Sequence, residues 1–131
     1  MKSPLHSVHA PKPIGPYTQA IRAGDFVFIS GQIGIDPETG KLVAKDAVGQ
    51  TAQALKNIRA ILTAAGLSAE HVVKTTVFLA DMGDFAAMNE AYGAMFHDDP
   101  PARSTVQVAK LPMDAKVEIE VIAMRRPASS A

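Results

Sequence analysis

A chain of 131 residues fits one domain, because domains cluster near ~100–150 residues and a chain of this size buries roughly two thirds of its unfolded surface. Thirteen Lys+Arg balance thirteen Asp+Glu for a formal net charge of +0, so the strong basic field that most nucleic-acid binders use is missing. With no Cys, a disulfide framework, a thiolate nucleophile and a cysteine zinc site are all excluded, and chemistry must use oxygen or nitrogen groups. The apolar stretches fall far short of the ~20 residues of a membrane helix, and residues 1–6 lack the apolar core of a signal peptide, so a cytoplasmic protein with no membrane partner is expected. Hydrophobic residues make up 47% and charged ones 20%, an apolar balance for a small domain, and part of the excess is expected to close a subunit interface.

Residues 1–16 hold Pro4, Pro11, Pro13 and Pro16, which cannot propagate a helix and favour an extended arm. The expected organisation is a single domain over 1–131, with an arm at 1–12, regular structure from about Tyr17, and a flexible tail at 127–131. Residues 18–22 and 26–35 read as a hairpin turning at Gly24-Asp25, and Asp36-Pro37-Glu38-Thr39-Gly40 ends the second strand with turn chemistry. From Asp46 the period becomes helical. Val48, Leu55, Ile58, Leu62 and Ala65 share a stripe, Asp46 can cap the start, and Gly66 supplies the left-handed residue at the end, giving a helix of about five turns.

Residues 72–79 form a β-branched run expected to be a central strand. Asp81-Met82-Gly83-Asp84 opens a second helix whose Phe85, Met88, Tyr92, Met95 and Phe96 recur on one face and which ends before Asp98-Asp99-Pro100-Pro101. Strands are expected at 104–108 and 116–124. This order, ββαβαββ, is an α+β fold in which right-handed crossovers put both helices on one face of a single mixed sheet. The other face is left uncovered, which favours self-association.

Alternation along the last strand puts Val117, Ile119 and Val121 on the helix-covered face and Glu118, Glu120, Ile122 and Met124 on the other. That face starts acidic and ends apolar: the glutamates are either solvated edge charges or one of them lines an interfacial cleft. Arg103 stands where a loop enters a strand, placed either as a surface or paired arginine or as a fork for a carboxylate or phosphate. If Arg103 and Glu118 meet in one pocket, one fixes an anionic substrate and the other handles a proton or a water. Gly15-Pro16-Tyr17 and Ser30-Gly31-Gln32 combine a rigid turn, an aromatic ring and a glycine that lets backbone approach a ligand; packing of Tyr17 and a β-bulge at Gly31 are the plainer alternatives. Met82, Met88 and Met95 form either a soft binding face or a helix stripe packed on its own sheet. His6, His9, His71 and His97 have no spacing that adds a third ligand, so no metal is expected, and no Gly-rich phosphate loop points to a nucleotide cofactor.

The run Pro101-Ala102-Arg103-Ser104-Thr105-Val106-Gln107-Val108-Ala109-Lys110-Leu111, followed by Val117-Glu118-Ile119, resembles the C-terminal signature of the reactive intermediate deaminase (Rid, or YjgF-type) family. Gly15-Pro16-Tyr17-Thr18-Gln19-Ala20, Ser30-Gly31-Gln32 and Lys74-Thr75-Thr76-Val77-Phe78-Leu79 resemble it in order and spacing, and the match spans residues 9–127. The resemblance implies a chorismate-mutase-like fold, a homotrimer with sites in clefts between subunits, and cofactor-free hydrolysis of enamines and imines such as 2-aminoacrylate and 2-iminobutanoate to 2-keto acids and ammonium. It links the protein to pyridoxal-phosphate-dependent dehydratases, which release such intermediates. It also implies that Arg103 clamps the substrate carboxylate, that Glu118 positions and deprotonates water, that Tyr17 walls the pocket, and that Ser30, Gly31 and Thr105 line it beside Asn89. Thr105 stands where many members carry Cys, Gln107 replaces a commoner Glu, and the loop at 97–101 is shorter than in some members. Two other readings stand beside this one: a non-catalytic trimer that binds 2-keto acids or related carboxylates, for which Glu118 would be dispensable, and a ribonuclease or translation inhibitor, which the neutral chain supports little.

Overall fold

A computed structural model describes residues 1–125; the tail expected at 127–131 lies outside the described residues. Six strands, β1 (Lys2–Leu5), β2 (Ala20–Ala23), β3 (Phe26–Gln32), β4 (Val72–Leu79), β5 (Ala102–Gln107) and β6 (Val117–Met124), form one sheet in the order β1-β2-β3-β6-β4-β5. Only β4 and β5 run parallel. Helices α1 (Ala47–Ala64) and α2 (Phe85–Gly93) pack together, and α1 lies on β3 and β6. The α+β architecture with both helices on one face is the one the element order predicts.

The caps work as their chemistry dictates. The Asp46 carboxylate accepts from Gly49 N at 2.8 Å, and Gly66, at φ +76°, lets Leu67 N donate back to Leu62 O at 2.8 Å. Arg22 Nη2 adds a bond to Ala65 O at 2.7 Å, placing a cation where the last carbonyls of α1 point. Gly24, at φ +61°, turns the β2–β3 hairpin.

Three expectations are corrected. Regular structure starts at Lys2 and not near Tyr17. Strand β1 pairs with β2 at the sheet edge, where Pro4 loses no ladder bond that the sheet needs. The chain that follows is tied down by the buried Gln19, whose Oε1 accepts from Ser7 N at 2.6 Å and whose Nε2 donates to Ser7 O and Pro11 O at 3.0 Å each. Val48 is 39% exposed and not part of the buried stripe. The first turn of α1 is covered on the opposite side, where Gln50 donates to Ala44 O and accepts from Lys116 N. Finally, α2 stops at Gly93, so Met95 and Phe96 are buried beyond the helix rather than within it.

The core lies between helices and sheet, with Ile58, Ile61 and Leu62 of α1 against Val27, Val117, Ile119 and Val121. Burial along β6 alternates as predicted, with Val117, Ile119, Val121 and Ala123 inward. The face without helices exposes Phe26, Phe28 and Val106, each about two fifths open to solvent.

Candidate functional site: two incomplete halves

The first half is built where β5 meets α2. Arg103 lies beside Thr75 in the parallel β4–β5 register, and Thr75 lies beside Val121, so Arg103 points to the helix side of the sheet. There its guanidinium carbon is 4.7 Å from the Tyr92 ring centroid and 5.6 Å from that of Phe85, and Nη1 is 4.0 Å from Met88 Sδ. Stacking of this kind is worth on the order of 0.5–2 kcal/mol and restricts a side chain that is otherwise floppy. Beneath it, the Thr75 and Tyr92 hydroxyls share a buried hydrogen bond of 2.7 Å. Burial pushes the Tyr92 phenol up, while the Thr75 bond and the Arg103 charge pull the other way. Among the described residues no carboxylate pairs with Arg103. Thr105 follows on the same face of β5, and Asn89 stands next to Met88 on α2 with its Oδ1 buried and without a hydrogen-bond partner.

The second half is on the helix-free face. Glu118 lies beside Phe78 on β6, and its carboxyl group rests on Gly31, where the β3–β6 register slips between Ile29 and Gln32. The register slip agrees with the plainer alternative for Gly31, a β-bulge, and it also makes room for a side chain. A Cβ on Gly31 would sit 2.7 Å from Glu118 Cδ and 2.9 Å from Oε2, so only glycine leaves the carboxylate this seat. Burial raises the Glu118 pKa above the usual carboxylate range, and the neighbouring Glu120 charge raises it further. Ser30 Oγ donates to Thr18 O at 2.6 Å. Tyr17 is 50% exposed and, with Ser30, Thr18, Ile21, Pro4 and Lys2, borders an open cavity of about 410 Å³.

One chain does not bring Arg103 and Glu118 together: they occupy opposite faces of the sheet, with β4 between their strands. Arg103 and Thr105 lie on the helix side of the sheet and Asn89 on α2, whereas Glu118 and Gly31 lie on the helix-free side, with Ser30 and Tyr17 at the separate cavity. Sequence reasoning missed the bed under Arg103. The stripe of Phe85, Met88 and Tyr92 was visible, but its period says only that it packs and not that an arginine lies on it. Thr75, inside a β-branched run that resembles the family, gave no sign that its hydroxyl meets Tyr92 beneath the arginine. The histidines take surface roles, His71 Nδ1 accepting from Ser68 N and His97 pairing with Asp98 in solvent. No group of described His, Asp or Glu residues is placed to hold a metal ion, and no described helix is long and apolar enough to cross a membrane.

The chain is a two-layer α+β protein with one mixed sheet under two helices, an arginine on its edge strand that no described carboxylate pairs, and a glutamate seated on its helix-free face. A family model described as Endoribonuclease L-PSP matches residues 7–125, and the chain belongs to that family. A RutC family protein of Pyrococcus horikoshii is 55% identical over 125 residues, covering 95% of this chain and 99% of its own. The 2-iminobutanoate/2-iminopropanoate deaminase of Salmonella typhimurium is 49% identical over 129 residues, covering 96% and 100%. The crystal structure of E. coli TdcF with bound serine has a TM-score of 0.91 at 45% identity, over 95% of this chain and 99% of that one.

Proposed function

We propose that this protein hydrolyses 2-imino acids and their enamine tautomers, such as 2-iminobutanoate and 2-aminoacrylate, to 2-keto acids and ammonium, without a cofactor, in clefts between the subunits of a homotrimer. The observation that carries this reading is the guanidinium of Arg103, stacked in place yet without a carboxylate partner among the described residues. A fork held in that state suits the carboxylate of a small acid. The deaminase relative acts on substrates of that kind by name, and TdcF holds serine, a 2-amino carboxylate of similar size.

Because Glu118 faces away from Arg103 within a chain, the reading has the Arg103 half of one copy meeting the Glu118 half of another. Glu118 takes a proton from water as the oxygen adds to the imine carbon, and the electron pair of the C=N bond moves to nitrogen. Starting from the protonated imine, Glu118 then passes that proton to the amine of the carbinolamine. The hydroxyl proton goes to Glu118 as its electron pair forms the C=O bond and the C–N pair leaves on nitrogen. The departing ammonia takes up that proton, giving ammonium and the 2-keto acid. The raised pKa of Glu118 suits both duties, since it brings the carboxylate closer to neutral pH as base and as acid. An imine is already electrophilic, so holding it and one water in contact supplies most of what is needed. Such imines arise from pyridoxal-phosphate-dependent dehydratases, and the protein acts downstream of them in the cytoplasm on this reading.

The test couples a threonine dehydratase to keto-acid release. Adding the wild-type protein should speed release of 2-oxobutanoate, Arg103→Ala should remove the effect, and Arg103→Lys should restore little, because an ammonium lacks the fork. Full activity in Arg103→Ala overturns the assignment.

A further inference from the structure

Among arginines at sheet edges, one that must capture a small anion has a difficulty: its side chain has many rotamers, and each must be frozen when the ligand binds. We propose that Tyr92 and Thr75 are positioning residues, whose shared hydrogen bond holds the Tyr92 ring as the platform that orients Arg103 toward a substrate carboxylate. The inference rests on the role given to Arg103 above and adds the means by which that role is met.

The geometry is specific. Thr75 is fully buried and is the direct neighbour of Arg103 across the parallel ladder, so its hydroxyl rises from the sheet at the base of the arginine. It meets the Tyr92 hydroxyl at 2.7 Å. The Tyr92 ring also meets the Phe96 ring, 4.8 Å between centroids and tilted by 44°, so it is held at its hydroxyl tip and against a second ring. Its face lies 4.7 Å from the guanidinium carbon, with Phe85 and Met88 completing the bed. The contacts on Arg103 are thus aromatic and thioether groups that fix the plane of the guanidinium without using up its N–H donors on a carboxylate, which leaves those donors for a ligand. A bond that only stapled α2 to the sheet would not need to place an aromatic face under a cation. Buried apolar pairs such as Met88 do that stapling already.

The test uses the full-length oligomer with Tyr92→Phe, Thr75→Val, the double variant, and Arg103→Ala. Titration with 2-oxobutanoate should weaken about fivefold in each single variant, the order of one lost hydrogen bond, and no further in the double variant, because the two hydroxyls act as one pair. Affinity for 2-oxobutanamide, which lacks the charge, should stay as in wild type, and turnover at saturating imine should change less than twofold. The Arg103 Nε–Hε proton should show an upfield ring-current shift in the free wild-type protein, reduced in Thr75→Val. A purely structural role would move neither the acid-over-amide preference nor that resonance. Wild-type affinity for 2-oxobutanoate in both single variants, with Arg103→Ala unable to bind it, overturns this inference alone. Wild-type affinity in Arg103→Ala overturns the carboxylate clamp and this inference with it.

Discussion

Gly31 and Glu118 form a pair in which one residue's lack of a side chain defines the other's position. Alanine at 31 would push against the end of a flexible side chain and not against backbone, so the Glu118 carboxylate swings away while the fold persists. Gly31→Ala should lower imine turnover by about tenfold or more, as displacement of a general base does, with a melting temperature close to wild type. Loss of fold would place Gly31 among structural residues instead. Glu120 acts on the same group through space: its charge is one of the two causes that raise the Glu118 pKa. Removing it in Glu120→Gln lowers that pKa, so the deprotonated base persists to lower pH and the acid limb of kcat/KM moves downward, with little change at neutral pH. A limb that stays in place would mean Glu118 is not the titrating base. The phase of this strand was legible in the sequence because Val117, Ile119 and Val121 alternate cleanly with Glu118 and Glu120. The seat on Gly31 was not, since it depends on a register slip with a strand about ninety positions away in the chain.

At the level of elements, local chemistry was readable and long-range ties were not. Asp46 and Gly66 bound α1 through groups within a few residues, so the sequence alone locates them. The arm is different. Four prolines in residues 1–16 correctly exclude a helix, but what orders the segment is Gln19, a residue whose type is usually exposed and whose burial only the fold explains. Its amide replaces a strand partner for Ser7 and supports Pro11, which cannot donate. Gln19→Ala leaves those backbone groups unpaired, at a cost of about 1–3 kcal/mol where they remain buried. Hydrogen exchange should show the Ser7 amide losing protection while the amides of β4 and β6 keep theirs. Equal protection at Ser7 in the variant would mean that the arm is held by its packing against β2 rather than by the glutamine.

Across the whole molecule, the misleading signal was in β5. Neither of its faces is apolar: Ala102, Ser104 and Val106 alternate with Arg103, Thr105 and Gln107, so period two gives no phase, and the condition that Arg103 and Glu118 meet in one pocket had nothing in that strand to check it. The register with β4 fixes the phase and sends Arg103 to the helix side. Phe26, Phe28 and Val106 leave an exposed apolar surface on that face, which in the proposed trimer another copy would cover. A site made from two copies has a consequence that a site within one chain lacks. On the proposed mechanism Arg103→Ala alone lacks the clamp and Glu118→Gln alone lacks the base, and each should lose roughly 10²-fold or more in turnover. When the two inactive variants are co-expressed in equal amounts and assemble at random, some interfaces join an intact Arg103 from one copy to an intact Glu118 from the next. In a closed ring this happens when a Glu118→Gln copy donates the arginine and an Arg103→Ala copy donates the glutamate, at about one interface in four. Activity should therefore recover to about a quarter of wild type, and mixing the purified variants without subunit exchange should recover nothing. If both groups served the same site from one chain, every chain in the mixture would carry one defect and co-expression would stay inactive.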